Sequence, residues 1–572
     1  MDNFSLSSID LIIIVVYIIG VIVYGLLKAK RSSSEEYFLA GRNMTWPIVG
    51  ISLFAANIGS HTLIGLSSDA FNGNFSVYNY EWMATVVLVF FAIFFLPFYL
   101  RSKVYTMPEF LERRYDKRSR YFFSGLTIIG NVIVDTAAGL YAGNLILKII
   151  FPEVSSIVII ICLALAAAAY TIPGGLNSVV QTEVIQAILL IGGSILLTYF
   201  CFTEVGGWSG MMAGLNEATA GGILSKSPAD AMSLVRPQDD AFMPWTGLVF
   251  GVPILGFYFW ANNQFMVQRA LGAKDLNHGR WGALFAGLLK LPVVFFMVLP
   301  GTVAIVLFGT LDISALNYYI PTEAGGTELC TRLGDCPNMT YPVLIYNLLP
   351  TGILGLVIAG LLAAMSSSIS ATLNSASTLI TMDFVANINP NLSSKQLVRV
   401  GQIATVILVV LAAAWAPQIE RFSSLFEYLQ IVIGLIAPPV VAVFLLGLFW
   451  KRANGNGALA ALVVGFAFAV LSLLSTMGAD NPSLSFLEIE ALNEVHFLHK
   501  APIILIGCLL VGVVVSLASH APAAEKLKDM IWTPQLFRDE TEELRGMPWY
   551  KNFRILAVLL LVITAIVVGA FW

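Results

Sequence analysis

Trp46-Pro-Ile-Val-Gly-Ile-Ser-Leu-Phe-Ala-Ala-Asn-Ile-Gly-Ser-His-Thr-Leu-Ile-Gly65 is apolar at both ends and polar in the middle. Its length matches a bilayer's hydrocarbon core of about 30 Å at about 1.5 Å per helical residue. Asn57, Gly59, Ser60, His61 and Thr62 fall together near its centre. Polar groups at that depth persist only when buried in protein or lining a watery cavity. Gly59 lowers the cost of unwinding the helix there, and an unwound turn frees carbonyls that coordinate a cation. The plainer alternative is that Gly50, Gly59 and Gly65 are packing notches, with Ser and Asn bonding between helices.

The rest of the chain supplies the membrane setting for this segment. Hydrophobic residues make up 58% of the 572 positions and charged residues 12%, against about 25% charged in soluble domains. Fourteen apolar spans are expected near 9–27, 46–70, 78–100, 121–150, 156–172, 181–203, 245–267, 281–308, 342–382, 398–416, 423–449, 456–477, 501–519 and 555–572. The fold class is therefore all-α transmembrane. The first span follows Asp2 and lacks a basic leader, so it is expected to remain as a helix rather than be cleaved. The polar stretches 204–243, 309–340 and 521–553 read as loops.

Basic residues near span ends mark the cytoplasmic side. Alternate loops hold Lys28, Lys30, Arg31, Arg42, Arg101, Lys103, Arg113, Arg114, Lys117, Arg118 and Arg120. The later loops on that side hold Arg269, Lys274, Arg280, Lys395, Arg399, Lys451, Arg452, Lys526, Lys528, Arg538, Arg545, Lys551 and Arg554, which makes 24 of the 31 basic residues. A miscount of one span would scramble this separation, so the pattern supports fourteen, with both termini outside. No basic run interleaved with aromatics points to nucleic acid, and no obligate protein partner is evident. Nor is a nucleophile–base pair or a metal spacing visible, which argues against an enzyme.

Three further places carry polar groups inside apolar spans. Span seven has Pro253, Gly256, Tyr258, Phe259, Trp260, Asn262, Asn263 and Gln264. Two interrupted spans, five apart, suggest two inverted repeats of five helices. The expected divisions are a leading helix and loop over 1–45, the first repeat over 46–204, an external loop over 205–244, the second repeat over 245–450 and three trailing helices over 451–572. Span nine is rich in hydroxyls, and Ala364, Ser367 and Ser368 lie at i, i+3 and i+4, so a carbonyl and two hydroxyls share one face. Oxygen ligands with no formal charge suit a monovalent hard cation better than calcium, which recruits carboxylates. Lys290 lies near the bilayer centre in span eight, where it needs a partner. Glu81 and Gln430 are candidates to complete a hydrogen-bonding cavity with it. Glu183 is a further acidic group near the inner start of span six. Cys330 and Cys336 fall in an external loop, where an oxidising compartment permits a disulfide.

Several segments together resemble the solute:sodium symporter family, in its sodium/glucose and sodium/galactose cotransporter branch. They are Glu36-Tyr-Phe-Leu-Ala-Gly-Arg42, Ala55-Ala-Asn-Ile-Gly59, Tyr80-Glu-Trp82, Tyr105-Thr-Met-Pro-Glu-Phe110, Gly174-Gly-Leu176 and Val267-Gln-Arg-Ala-Leu271. Further on come Leu289-Lys-Leu291, Asn374-Ser-Ala-Ser-Thr-Leu379, Thr381-Met-Asp383, Phe426-Glu-Tyr-Leu-Gln430 and Ala442-Val-Phe-Leu-Leu-Gly-Leu-Phe-Trp-Lys451. The resemblance implies a five-plus-five core with discontinuous first helices, one helix before it and three after. It implies a sodium site on the carbonyls of Ala55, Ile58 and Ala364 and the hydroxyls of Ser367 and Ser368. Sugar contacts would map to Asn57, Thr62, Glu81, Lys290 and Gln430, with Trp260 nearby and Phe426 as an outer lid. Phe259 stands where an inner-gate Tyr is usual. A second sodium ion would use Glu183 and Ser370, although Ala371 leaves that ligand set incomplete.

Other departures reduce the hydrogen-bond set, since Gly256 and Ala84 replace polar contacts and Thr62 replaces a Gln or His. The expected function is sodium-coupled symport of a sugar across a plasma or inner membrane. A sodium-dependent inositol or polyol carrier and a non-concentrating sensor or channel are the alternatives. The expected partners are the small sugar, Na+ and membrane lipid.

Overall fold

A computed structural model of the protein describes every residue except 1–5, 30–31, 152, 315–317, 322–326, 422–424 and 481. Among the described residues, ten helices are long and apolar enough to cross a membrane. One of them, Ser156–Val205, has 50 residues, about 75 Å at 1.5 Å per residue and more than twice the hydrocarbon thickness. Gly175 interrupts it at φ +56°, two residues after Pro173, so it comprises spans five and six. A Cβ at Gly175 would come within 2.3 Å of the Tyr37 carbonyl, so this corner also needs a residue without a side chain. Trp46–Asn57 and the helix after it form a bent pair with a 58° angle. Span seven is built from the pieces Trp245–Phe250, Val252–Phe257, Tyr258–Asn262 and Gln264–Leu271. With the shorter apolar helix Phe553–Gly569, these elements account for the fourteen expected spans.

The interruptions have local causes. In span two the helix stops at Asn57, Ile58 takes φ −92° and ψ 87°, and a new helix begins at Ser60. In span seven Asn263 is extended, and its side chain accepts from the Phe265 amide at 3.3 Å, capping the second half of the span. Span three, within Phe75–Ser102, widens over Phe91–Phe95 just before Pro97. Proline has no amide to donate to the preceding turn, which favours such a widening.

Three sequence expectations need correction, the first being 521–553, read as a loop, which contains the helix Pro534–Leu544. The span expected over 342–382 begins later, because Thr340–Leu348 is a separate short helix and Ile353–Leu379 starts after Gly352, whose φ is +88°. The segment 205–244, read as a loop, contains the helices Gly207–Ala220 and Pro228–Met232.

Span nine runs through the middle of the bundle, with most of its side chains buried. It packs on spans one, five and six, and span eight packs on spans two and three. The leading helix Ser8–Leu27 is tied to span nine through Asp10, which accepts from the amides of Gly352 at 2.7 Å and Gly355 at 2.8 Å. Those donors are among the free amides of a helix N-terminus. The opposite side of the leading helix leaves Ile12 and Val16 more than 60% exposed, a surface for lipid. On the loop before span nine, Cys330 and Cys336 are disulfide-bonded.

Candidate substrate cavity and cation site

A narrow cleft with about 70 Å³ of water-accessible space opens where the two broken spans meet spans three, four and eleven. Asn57, His61 and Thr62 reach it from the break in span two, and Tyr80 and Glu81 from the start of span three. Span seven contributes Val252, Leu255, Gly256, Phe259 and Trp260, and span eleven contributes Leu429, Gln430 and Ile433. Asp135 completes the wall from span four.

Lys290 holds this wall together from behind. Its side chain is fully buried, its Nζ donates to Glu81 Oε2 at 2.5 Å, and a second donation goes to Asn57 Oδ1. The ammonium also lies 5.4 Å from the Trp260 ring centroid and 5.8 Å from that of Phe54, within cation–π range. Spans two, three, seven and eight are thus joined at one cation. Of its three N–H donors, two are used by the protein. Thr62 reaches the cleft but also donates from its hydroxyl to the Asn57 carbonyl at 3.0 Å, bracing the break. Gln430 is half-buried at the cleft wall. Phe259 packs edge-on to Trp260 and to Phe265, each at 5.4 Å. The Phe426 side chain lies outside the described residues.

The cation ligands expected from the sequence come from two segments that touch. At the span-two break the Gly59 amide donates to Asn57 O at 3.2 Å, and the Thr62 amide to Gly59 O at 3.1 Å. A continuous helix would send those amides to the carbonyls of Ala55 and Ile58, so both carbonyls are released from the helical ladder. Span nine approaches closely here, since a Cβ on Gly59 would lie 2.6 Å from Ser368 Oγ. The Ser368 hydroxyl has only long bonds, 3.3 Å to Ala364 O and 3.5 Å to Ala56 O. Ser367 is 1% exposed, and its hydroxyl has no hydrogen-bond partner among the described residues. Two carbonyls free of the helical ladder, the weakly bonded Ser368 hydroxyl near them and an orphaned hydroxyl on the next residue are a donor set that fits a hard monovalent cation.

The residues expected to hold a second cation are otherwise engaged. Glu183 is fully buried and paired with Arg269 through Nη2 and, at 3.4 Å, through Nε, while Ser52 donates to its Oε2. Ser370 donates to Tyr170 at 2.8 Å and accepts from Thr171 at 2.7 Å. The two side chains therefore belong to separate bonded groups in this conformation. A carboxylate already neutralised by a guanidinium has little attraction left for another cation.

A second buried pair lies in the same half of the molecule. Arg120 meets Asp383 at 2.7 Å, and Asp383 also accepts from Thr106 at 2.7 Å and Ser124 at 2.5 Å. Arg269–Glu183 and Arg120–Asp383 sit at the span ends that carry the basic loops. The cleft is lined by residues farther from those ends.

Sequence reasoning passed over Asp135, and it named His61 in the polar centre of span two without assigning it a role. Asp135 stands in the middle of an apolar run, which by the cost of intramembrane charge was signal enough. His61 lines the cleft with a buried Nδ1 that has no partner among the described residues.

The sodium:solute symporter family model matches residues 37–465. The chain is 33% identical to sodium/glucose cotransporter 4 of Danio rerio, covering 96% of this chain and 84% of the relative. It is 36% identical to a sodium/mannose cotransporter of Bos taurus, covering 92% and 89%. A substrate-bound, outward-open sodium-coupled sialic acid symporter superposes with a TM-score of 0.73 at 22% identity, covering 90% of this chain and 99% of that one.

Proposed function

The chain belongs to the sodium:solute symporter family, and from that premise we propose that it carries a sugar into the cell together with sodium by alternating access. The observation that carries the reading is Lys290, buried and shared by Glu81 and Asn57 beside the polar cleft. Carboxylate, ammonium and amide offer both donors and acceptors to a ring of hydroxyls. An amino acid or carboxylate substrate would favour a dominant cation or helix N-terminus. Trp260 provides a flat apolar face for the ring carbons on the same wall.

Sodium would be held by the carbonyls of Ala55, Ile58 and Ala364 and the hydroxyls of Ser367 and Ser368. Such an ion joins the span-two break to span nine and fixes the backbone turn that also carries Asn57 and Thr62. The cation is cargo. One charge moving through 100 mV contributes about 2.3 kcal/mol, and a tenfold sodium ratio about 1.4 kcal/mol more. Together they sustain a sugar gradient of several hundredfold. In this reading both termini are outside, as the basic loops imply, so the cleft belongs to the outer half. Arg269–Glu183 and Arg120–Asp383 then hold the inner half shut.

The test is sodium-dependent uptake in proteoliposomes, screened over hexoses, inositols and amino acids. Concentrative uptake of a hexose is the expected result. Uptake of amino acids alone would overturn the sugar assignment, and counterflow without accumulation would identify a facilitator.

A further inference from the structure

We infer that Asp135 is a specificity-determining residue, whose carboxylate accepts hydrogen bonds from substrate hydroxyls and turns away sugar acids. The inference rests on the symport reading above and adds to it a residue and a selection rule.

Three buried acids of the spans around the cleft each face a cation. Glu81 meets Lys290, Glu183 meets Arg269 and Asp383 meets Arg120. Asp135, unlike these, has neither hydrogen bond nor ion pair with a described residue, and it opens into the cleft. An unpaired carboxylate inside a membrane span is costly and is retained where a ligand or cavity water meets it.

Its position is also built. Asp135 sits in the widened turn Gly130–Thr136, a helix distortion often found at functional sites. The neighbours of that turn are fixed to span nine. Asn131 donates to Ser375 at 2.9 Å, and the hydroxyls of Thr136 and Thr372 lie 2.7 Å apart. Span nine is the helix of Ser367 and Ser368, so the wall bearing Asp135 and the cation ligands move as one piece.

The charge balance gives the selection rule. Glu81 and Lys290 cancel, which leaves Asp135 as the excess charge of the cleft. A neutral polyol answers it with two adjacent O–H donors, as carboxylates accept at both oxygens. A uronate brings a second carboxylate with no proton to share, and like charges in a desolvated cleft repel.

The experiment is sodium-driven glucose uptake in proteoliposomes, competed by unlabelled glucose, glucosamine and glucuronate, for wild type, Asp135→Asn and Asp135→Glu. Wild type is expected to ignore a tenfold excess of glucuronate. Asp135→Asn is expected to raise the KM for glucose about tenfold or more and to let glucuronate compete, while Asp135→Glu keeps the rejection. Unchanged KM and unchanged rejection in Asp135→Asn overturn the role of Asp135 and leave the symport reading standing. Wild-type liposomes that take up no sugar overturn the symport reading and this inference with it. Should Asp135→Asn not fold, Asp135→Ser is read with the same panel, and equal competition by glucuronate and glucose in wild type overturns the rule by itself.

Discussion

Replacing Lys290 with Met tests the centre of the proposed site, because Met keeps the length of the stem and removes only the ammonium. Two of its three donors serve Glu81 and Asn57, and under the proposed function the third goes to the substrate. A hydrogen bond from a charged donor contributes about 1.5–3 kcal/mol net. Its loss should raise the sugar KM by roughly 12- to 160-fold at about 1.4 kcal/mol per decade. The substitution also strands Glu81, only 4% exposed, and breaking a fully buried pair costs about 3–5 kcal/mol. Cavity water reduces that cost on the cleft side. Glu81→Gln together with Lys290→Met removes the stranded charge, so the double variant should be more stable than Lys290→Met alone. Uptake kinetics in proteoliposomes give the KM, and thermal unfolding of the purified protein gives the coupling between the two positions. An unchanged KM in Lys290→Met at equal amounts of folded protein would refute the reasoning, as would additive stability effects in the cycle.

Ser367→Ala deletes a hydroxyl that has no hydrogen-bond partner among the described residues, so thermal stability should move little or rise slightly, while half-maximal sodium should increase at least tenfold; a normal sodium dependence removes Ser367 from the ligand set. Gly59→Ala sets a Cβ 2.6 Å from Ser368 Oγ and 2.7 Å from the His61 ring, and sodium-driven uptake should fall by more than tenfold despite the better helix propensity of Ala. Full uptake by that variant would place the cation elsewhere. Arg269→Met strands a fully buried Glu183 and should destabilise the protein by about 3–5 kcal/mol, with Glu183→Gln added to it restoring part of the loss; equal melting of the single and double variants would show that the pair is not coupled. The reversal potential of sugar-coupled current separates one sodium per sugar from two, and one is expected, given how Glu183 and Ser370 are engaged.

The two halves of the candidate site were legible to different degrees. Asn57, Lys290 and Glu81 stand out in sequence because a polar group in hydrocarbon must find a partner, and the structure brings these three together. The same rule covers Asp135, but a single carboxylate in the run 121–150 has no spacing pattern to mark it, and only the packed helices show which way it faces. Glu183 reads as acidic and available in the chain, while its partner Arg269 lies 86 positions away in a different repeat. Ion pairing between distant spans leaves no periodic trace. The start of span nine was misplaced because 342–382 carries no charged residue, while the chain breaks at an extended Leu349 and a positive φ at Gly352.

Coupling between sugar and sodium needs no long pathway in this arrangement. Asn57, which shares Lys290 with Glu81, is followed directly by Ile58, one of the released carbonyls. Thr62 both lines the cleft and ties its hydroxyl back to Asn57 O at 3.0 Å. A cation drawn to Ile58, Ser367 and Ser368 would therefore order the turn that presents the sugar ligands. Linkage requires the converse, that sugar bound to that turn tightens the sodium site by the same factor. Asp135 enters this circuit through span nine, because Asn131 and Thr136 on its own turn are bonded to Ser375 and Thr372. On the proposed site, losing sodium would loosen both walls of the cleft at once. The pairs Arg269–Glu183 and Arg120–Asp383 then become the remaining ties at the inner end, and their buried charges need new partners or water before that end can open. Opening is thus favoured by whatever admits water there, and sugar release should follow sodium release rather than precede it.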